Sequence, residues 1–372
     1  FGIVKRGSFE PGATLIGAGP FIPAGPVGEV SRFVRNPYYY GGPPPQQALT
    51  VRVIRDANAR LLSLVGGSAD LTQNTVSPLL LDVVDRWQGR LKLVNAPSAI
   101  FYYLGLNNED ERLRDPRVRR ALALAIDRER IIRTKLHGRA VLATGMLPTF
   151  HWAYSAAVRR YDYDPAAARA LLDEAGFQDP DGAGPKPRFT LTYKTSTDAL
   201  PLSIARVVAA QLEEVGIHVD VRPYEFHVFL SDVKKGNFQL FALTTGEVAE
   251  PNLLKRYFHS DFIPTPQNLD AGQNRMRYRR PEMDKVLDAG ERELDRPARA
   301  RLYAEAQRLL ADDLPIIPMW HLDNVAVLRK EVEGFRLYPS AQLTSLATVS
   351  KPRRAAAKVA AKWPRRLSVQ TE

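Results

Sequence analysis

The stretch DPRVRRALALAIDRERII, residues 115–132, determines how the middle of this chain is interpreted. Asp115 can accept hydrogen bonds from the free N–H groups of a first helical turn, and Pro116 has no N–H group to leave unpaired there. Apolar residues then recur at three- and four-residue spacing, which predicts a helix with one buried stripe. Charges of both signs occupy the remaining surface, so we expect the arginines to be solvated and Gly138 to end the helix. The pattern indicates scaffold rather than a nucleic-acid reader.

Strands and helices alternate on both sides of this stretch. Downstream, a helix begins again at Asp-Pro, and three strands then alternate with two helices. The predicted strands are 188–195, 217–224 and 238–245, and the predicted helices are 199–215, 226–236, 281–293 and 297–313. Upstream, the predicted strands are 29–40, 49–55 and two within 91–108, with helices near 61–65 and 78–87. This βαβαβ pattern predicts an α/β fold with a mixed or parallel sheet.

Composition limits the possible classes of protein. The chain has 372 residues, is 45% hydrophobic and contains no cysteine, which excludes disulfides and thiol nucleophiles. Its net charge is +11, but residues 351–372 alone hold seven Lys or Arg and one acid. The nearly balanced remainder argues against a dedicated nucleic-acid domain. The tail is either a solvated disordered terminus or a basic adaptor that binds nucleic acid or an anionic membrane surface.

Catalytic signatures are missing from the sequence. It contains no Gly-rich phosphate loop after a strand, no G-x-S-x-G motif and no histidine pair at metal-helix spacing. We therefore expect no enzyme, no metal and no cofactor. Glu247 and Glu250 flank the end of a predicted strand, where α/β sheets commonly bind ligands. They form either a site for a small cationic group or an exposed acidic loop.

The order of segments resembles the family 5 extracellular solute-binding proteins of ABC importers, the dipeptide, oligopeptide and nickel class. The resemblance covers roughly residues 15–348. The stretches that carry it are GAGPF (17–21), FVRNPYYYGGPP (33–44), VIRDANARLLSLVGGSADL (53–71), YYLGLNN (102–108), DPRVRRALALAIDRERII (115–132), YDPAAARALLDEAGF (163–177), QLEEVGIHVDV (211–221) and DLPIIPMWHLDNVAV (313–327).

The resemblance implies a fold of the type II periplasmic-binding-protein kind, with two hinged lobes and mixed sheets. Residues 1–104 and 317–349 would belong to the first lobe, 105–316 to the second, and 350–372 to a basic disordered tail. The hinge strands would be 102–106 and 315–319. The N-terminal third of the family, with its export signal, has no counterpart here. We therefore expect an incomplete first lobe and a truncated chain.

The resemblance also implies a function without chemistry. The family binds a peptide or similar small solute in the interlobe cleft and delivers it to an ABC permease in the inner membrane. We therefore expect a periplasmic or extracytoplasmic monomer that is associated with the membrane through the transporter and binds no nucleic acid.

Site residues follow from the resemblance at single positions. Peptide-binding members commonly carry a Trp and an Asp after the strand equivalent to FQLFALTT, and the Asp holds the ligand's amino group. Here the segment is TTGEVAEPN, with Glu247 nearest the acidic position and Glu250 before Pro251, and its altered form leaves peptide specificity open. The other candidate ligand-binding residues are Gln73, Asn74, Tyr102, Tyr103, Trp152, Trp320 and His321. For the aromatic residues, ordinary core or hinge packing is the alternative.

Overall fold

The computed structural model describes residues 17–182 and 184–352. The described chain divides into a small unit, residues 17–55, 329–336 and 344–352, and a large unit, residues 56–328 and 337–343. This division differs from the expected lobe boundaries at 104 and 316, which stay a prediction. From residue 353 the basic tail lies outside the described residues, so the adaptor alternative also stays a prediction.

The small unit contains a three-stranded antiparallel sheet. Its strands, in sheet order, are β1 (Phe21–Pro23), β2 (Val30–Arg35) and β3 (Ala48–Arg52). The strands predicted at 29–40 and 49–55 are therefore confirmed, although β2 ends earlier than residue 40. Asn36 starts a turn there, because its side chain accepts a hydrogen bond from the N–H of Tyr38 at 3.0 Å and donates one to the carbonyl of Gly19 at 3.0 Å.

The large unit contains a seven-stranded mixed sheet. Its strands are β4 (Leu71–Gln73), β5 (Leu91–Leu106), β6 (Ala140–Leu142), β7 (Phe189–Ser196), β8 (Ile217–Tyr224), β9 (Leu240–Glu247) and β10 (Ile316–Arg329). They lie in the order β4-β10-β5-β9-β7-β8, and β6 also pairs with β10. The prediction of two strands within 91–108 is wrong, because β5 continues for 16 residues. Ser98 ties its middle to β10 by donating to the carbonyl of Leu322 at 2.6 Å.

Helices cover the large sheet. They are α1 (Ala57–Gly66), α2 (Leu81–Arg86), α3 (Pro116–Ala125), α4 (Arg128–Lys135), α5 (Pro165–Glu174), α6 (Ala199–Glu213), α7 (Phe226–Lys235), α8 (Leu253–Phe258), α9 (Pro281–Arg292) and α10 (Arg296–Asp313). Single 3₁₀ turns occur at Pro78–Leu80, Ser260–Phe262 and Leu343–Ala347. Within the described ranges, no helix has both the length and the apolar composition to cross a bilayer.

The predicted βαβαβ pattern is confirmed. Helix α6 connects β7 to β8 and α7 connects β8 to β9, and β7 pairs in parallel with both other strands. Alternate side chains of β5 enter separate cores, because successive residues of a strand point to opposite faces. Tyr102 and Leu104 belong to one core and Phe101 and Tyr103 to the other.

The stretch 115–132 forms two helices, not one. Asp115 caps α3 as predicted, by accepting from the N–H of Arg117 at 2.8 Å. Helix α3 ends at Ala125, and Asp127 caps α4 by accepting from the N–H of Arg130 at 2.8 Å. Asp127 therefore starts a helix, whereas the sequence pattern treated it as one of the solvated charges on a continuous helix.

The prediction that the arginines of this stretch lie on the surface is wrong for two of them, Arg119 and Arg128, which are buried. Arg119 donates to the carbonyls of Leu113 at 2.7 Å and Asp313 at 2.8 Å. Arg128 donates to the carbonyl of Pro318 at 2.7 Å, and burial lowers the pKa of each guanidinium to about 10, which leaves both charged at neutral pH. Both arginines are buried because they satisfy carbonyl groups that distant segments bring to them.

Strands β7 and β9 separate after a short contact. β7 pairs with β8 along eight residues, but with β9 only through Tyr193–Leu240 and Lys194–Phe241. On its other side β9 continues beside β5 as far as Glu247, which lies opposite Ile100. Among the described residues, the edge of β9 beyond Phe241 that faces away from β5 therefore has no strand partner.

Candidate functional site

An open groove of about 350 Å³ lies where β9 ends. One side consists of Thr244–Gly246 of β9 and Ile100 of β5, and the other side is the loop 339–341. Gly246 adds no bulk to the groove, and a Cβ atom built on it would meet only open space. The groove is thus formed by chain segments that are far apart in the sequence and that all belong to the large unit.

The loop 339–341, which we call the wall loop, is held by side-chain amides. Gln73 donates its Nε2 to the carbonyl of Ala341 at 2.6 Å. Asn324, fully buried on β10, donates its Nδ2 to the carbonyls of Tyr338 at 2.7 Å and Pro339 at 3.2 Å. Ala341 has a φ of 56°, in the left-handed region that non-glycine residues seldom adopt. Specific hydrogen bonds therefore maintain an unusual backbone conformation.

Asn74 supports the same loop from behind. Its Nδ2 donates to the Oδ1 of Asn324 at 2.8 Å, and its Oδ1 accepts from the N–H of Val325 at 2.8 Å. Its own φ is 55°, which asparagine tolerates better than most residues. Gln73 and Asn74 thus support the groove indirectly, because they hold the wall loop in place, and they are not among the residues that line the groove. Direct ligand contact by either side chain stays a prediction.

The candidate tyrosines and Trp320 lie in the cores. Tyr102 stacks on Trp320 with ring centroids 4.8 Å apart and an interplanar angle of 5°, and Trp320 is fully buried. Tyr103 stacks on Phe101 at 5.7 Å in the opposite core. Burial raises the pKa of both tyrosines, so their hydroxyl groups stay neutral. These positions fit the packing alternative given in the sequence analysis, and a role in ligand binding stays a prediction.

His321 is also buried, with its ring against Phe101 at a centroid distance of 5.2 Å. Its Nε2 lies 3.2 Å from the carbonyl oxygen of Gly145, so Nε2 carries the proton because a carbonyl only accepts. Burial lowers the pKa of His321 to about 4. At neutral pH this side chain is therefore an uncharged packing group, and its part in ligand binding stays a prediction.

Trp152 and Glu250 lie together beyond the end of β9. Arg296 and Arg299 of α10 stand over the Trp152 ring, with their Cζ atoms 4.9 Å and 5.5 Å from its centroid. The Glu250 carboxylate lies 3.2 Å from Arg299. Glu247, the last residue of β9, follows Gly246 directly, so its backbone lies beside the groove. An arginine of α10 thus engages the Glu250 carboxylate.

Residues 4–261 match the family model described as bacterial extracellular solute-binding proteins, family 5 Middle. The chain belongs to this family. Among its relatives, the "Probable di/tripeptide-binding protein 5" of Pseudomonas aeruginosa is 31% identical over 348 residues, which are 91% of this chain and 62% of that protein. The chain thus spans about three fifths of the length of this curated relative.

Solved structures of family 5 binding proteins have the same fold. The oligopeptide-binding protein AppA of Bacillus subtilis, in complex with a nonapeptide, is 25% identical with a TM-score of 0.71, over 90% of this chain and 66% of that one. NikA of Brucella suis, in complex with Fe(III)-EDTA, is 25% identical with a TM-score of 0.77, over 94% of this chain and 71% of that one. The predicted α/β binding-protein fold is therefore confirmed.

The groove itself was not predicted for this family 5 chain. Thr244, Thr245 and the wall loop have no local signature, and Gly246, the residue after the predicted strand 238–245, was not singled out. Within the described part of the chain, no group of three or more His, Asp or Glu side chains is arranged to hold a metal ion.

Proposed function

We propose that this chain is the ligand-binding part of an ABC importer's extracytoplasmic receptor, and that the groove beside β9 captures a peptide or similar solute for an inner-membrane permease. The observation that carries this proposal is the groove itself, which joins the end of β9 to Ile100 of β5 and to the wall loop, segments of both predicted lobes. The edge of the same strand that faces away from β5 can in addition pair with an extended peptide, because the peptide's own N–H and C=O groups satisfy those of the strand. Specificity then comes from the side chains around it, and the solute leaves chemically unchanged.

The origin of the groove residues supports capture between hinged lobes. Ile100 and the wall loop come from the predicted first lobe, and Thr244–Gly246 come from the predicted second lobe. The expected hinge segments, 102–106 and 315–319, run through β5 and the start of β10. A ligand that contacts both sides would stabilise a closed state over an open one, and a permease can recognise that shift.

Glu247 is proposed to receive the ligand's ammonium group. It is the final residue of β9 and follows a groove residue directly, which is the position that the family resemblance indicated. A charge-assisted hydrogen bond to such a group is worth on the order of 1.5–3 kcal/mol, about ten- to a hundredfold in affinity.

Calorimetric titration with trialanine and with N-acetyl-trialanine tests the proposal. We expect trialanine to bind, the acetylated peptide to bind at least tenfold more weakly, and Glu247→Gln to abolish most of this difference, since Gln keeps the shape without the charge. Mass spectrometry should recover trialanine intact. Turnover of the peptide, or binding of a Ni²⁺–histidine chelate in its place, would reassign the function or the substrate class.

A steric variant tests whether the groove is the site. Gly246→Val should weaken trialanine binding at little cost in stability, because the new side chain meets only open space. Gly89→Val is the matched control, since a Cβ atom there also meets open space and Gly89 does not line the groove. Equal affinity in both variants would show that the peptide binds elsewhere.

A further inference from the structure

The segment that follows β9 is attached to the rest of the large unit by two polar contacts at neighbouring residues. The N–H of Ala153 donates to the Nδ1 of His151 at 3.1 Å, so the ring proton lies on Nε2. That Nε2 donates to the carbonyl of Ala249 at 3.2 Å. The next residue, Glu250, pairs with Arg299 at 3.2 Å, and Val248 before them is buried. Three consecutive residues after β9 are therefore held in place.

Arg299 is the centre of these contacts. Its Nε donates to the carbonyl of Gly290 on α9 at 3.1 Å, and its Cζ lies 5.5 Å from the ring centroid of Trp152 and 5.6 Å from that of Tyr303. In addition to Glu250, the guanidinium thus contacts two aromatic rings and a helix carbonyl. Only 23% of the Arg299 side chain is exposed, against 63% of Glu250. The arginine is the fixed partner and Glu250 is the group that it holds.

An ion pair with so exposed a carboxylate contributes little to stability. Its effect is geometric, because it restrains the chain four residues after Gly246, at the point where β9 leaves the sheet. Arg299 also contacts Trp152, which is the residue after His151, and the His151 ring donates to the carbonyl of Ala249. Through this second route the arginine restrains Ala249 as well. Thr244 pairs with Tyr102 of β5 only, and Thr245 and Gly246 lie in an irregularity of that pairing, so the position of these residues depends on the anchors.

We propose that Arg299 is a positioning residue of the ligand groove, which acts through Glu250 and Trp152 on the β9 end and does not touch the ligand. The proposal rests on the proposed function of the groove. It gives Glu250 the role of an anchor rather than of a ligand-binding carboxylate. The altered segment TTGEVAEPN then keeps one glutamate for structure and one, Glu247, for the solute.

A double-mutant cycle on the full chain tests this role. Arg299→Gln and Glu250→Gln should each lower trialanine affinity, Arg299→Gln about tenfold, about 1.4 kcal/mol, and the double variant should lose no more than Arg299→Gln alone, because both changes remove the same ion pair. The matched control is the exposed pair Arg308–Glu305 on the same helix, with 2.7 Å between its charged atoms. Arg308→Gln and Glu305→Gln should leave affinity unchanged. Equal losses in the control pair, or additive losses in the double variant, would overturn the proposal.

Hydrogen exchange supplies a measurement that needs no ligand. In Arg299→Gln the amides of residues 244–250 should exchange faster than in the wild-type chain, and in Arg308→Gln they should not. Unchanged exchange in Arg299→Gln overturns the positioning role. Faster exchange in a chain that binds no trialanine even as wild type supports the positioning role and refutes the proposed peptide function, so the two failures are distinguishable.

Discussion

The interior of the central strands and the walls of the groove are stabilised in different ways. Tyr102 and Trp320 are held by stacking, and among the described residues the Nε1 of Trp320 and the Nδ1 of His321 have no hydrogen-bond partner. The wall loop is held by amide groups, and the Nδ2 of Asn324 donates both to its Pro339 carbonyl and to the carbonyl of the preceding Tyr338. Changes in the interior should therefore alter stability, whereas changes behind the wall should alter the shape of the groove and with it affinity.

The largest effect should come from Trp320→Ala. Removing a fully buried indole leaves a cavity, which costs about 3–5 kcal/mol of unfolding free energy. Urea unfolding followed by circular dichroism measures this loss, and Trp87→Ala, at a partly exposed ring, is the control with a loss below about 1 kcal/mol. Trialanine affinity of the folded variant should be unchanged. A stable Trp320→Ala protein that no longer binds the peptide would mean that the indole contacts the ligand.

Because of His321, the free energy of unfolding should depend on pH. Burial lowers its pKa from 6.5 to about 4, so between these values the unfolded chain takes up a proton that the folded chain does not. The stabilising contribution is complete above pH 6.5 and is lost as the pH falls towards 4. Between pH 7 and pH 5 the loss is about 2 kcal/mol.

The comparison of wild-type and His321→Gln unfolding at pH 7 and pH 5 measures this contribution. The variant should lose less stability on acidification, and the exposed His227→Gln should behave like the wild type. Some acid sensitivity should remain, because burial also lowers the pKa of His151. Identical pH profiles for all three proteins would contradict the assignment of His321 as a neutral buried group.

The smallest effect on stability should come from the wall. Gln73→Ala removes one neutral hydrogen bond to Ala341, which is worth about 0.5–1.5 kcal/mol. Because that bond holds a groove wall, trialanine affinity should fall, while the exposed Gln88→Ala should change neither stability nor affinity. If Gln73→Ala lowered the free energy of unfolding but left trialanine affinity unchanged, the wall loop would behave like the interior, and the contrast between the two regions would be wrong.

Local patterns predicted most of the fold. The cap at Asp115 and the βαβαβ alternation follow from spacing over a few residues, and the structure has both. The burial of Arg119 could not be predicted in this way, because its acceptor at Asp313 is 194 residues away in the chain. The break at Ile126 was missed because Asp127 looks like one more surface charge until its side chain is seen to accept the N–H of Arg130.

The candidate site was less accessible to prediction. Strand alternation identifies Tyr102, Tyr103 and Trp320 as aromatic residues on strands, but it does not distinguish a ring that faces a ligand from one that packs in a core. The groove depends on Ile100, Gly246 and the wall loop meeting in space, and no local spacing encodes that meeting. Glu247 and Glu250 were proposed because strand ends are recurrent ligand positions, and their roles in binding stay predictions.

Because β7 and β9 separate early, the ligand-free protein should be prone to self-association. An unpaired strand edge accepts any extended chain, including the β9 edge of another copy, and such pairing starts aggregation. A peptide that added to this edge would compete with self-association. Light scattering of concentrated samples should therefore show slower aggregation in the presence of saturating trialanine than in its absence, so the ligand would act as a protective cap as well as a cargo.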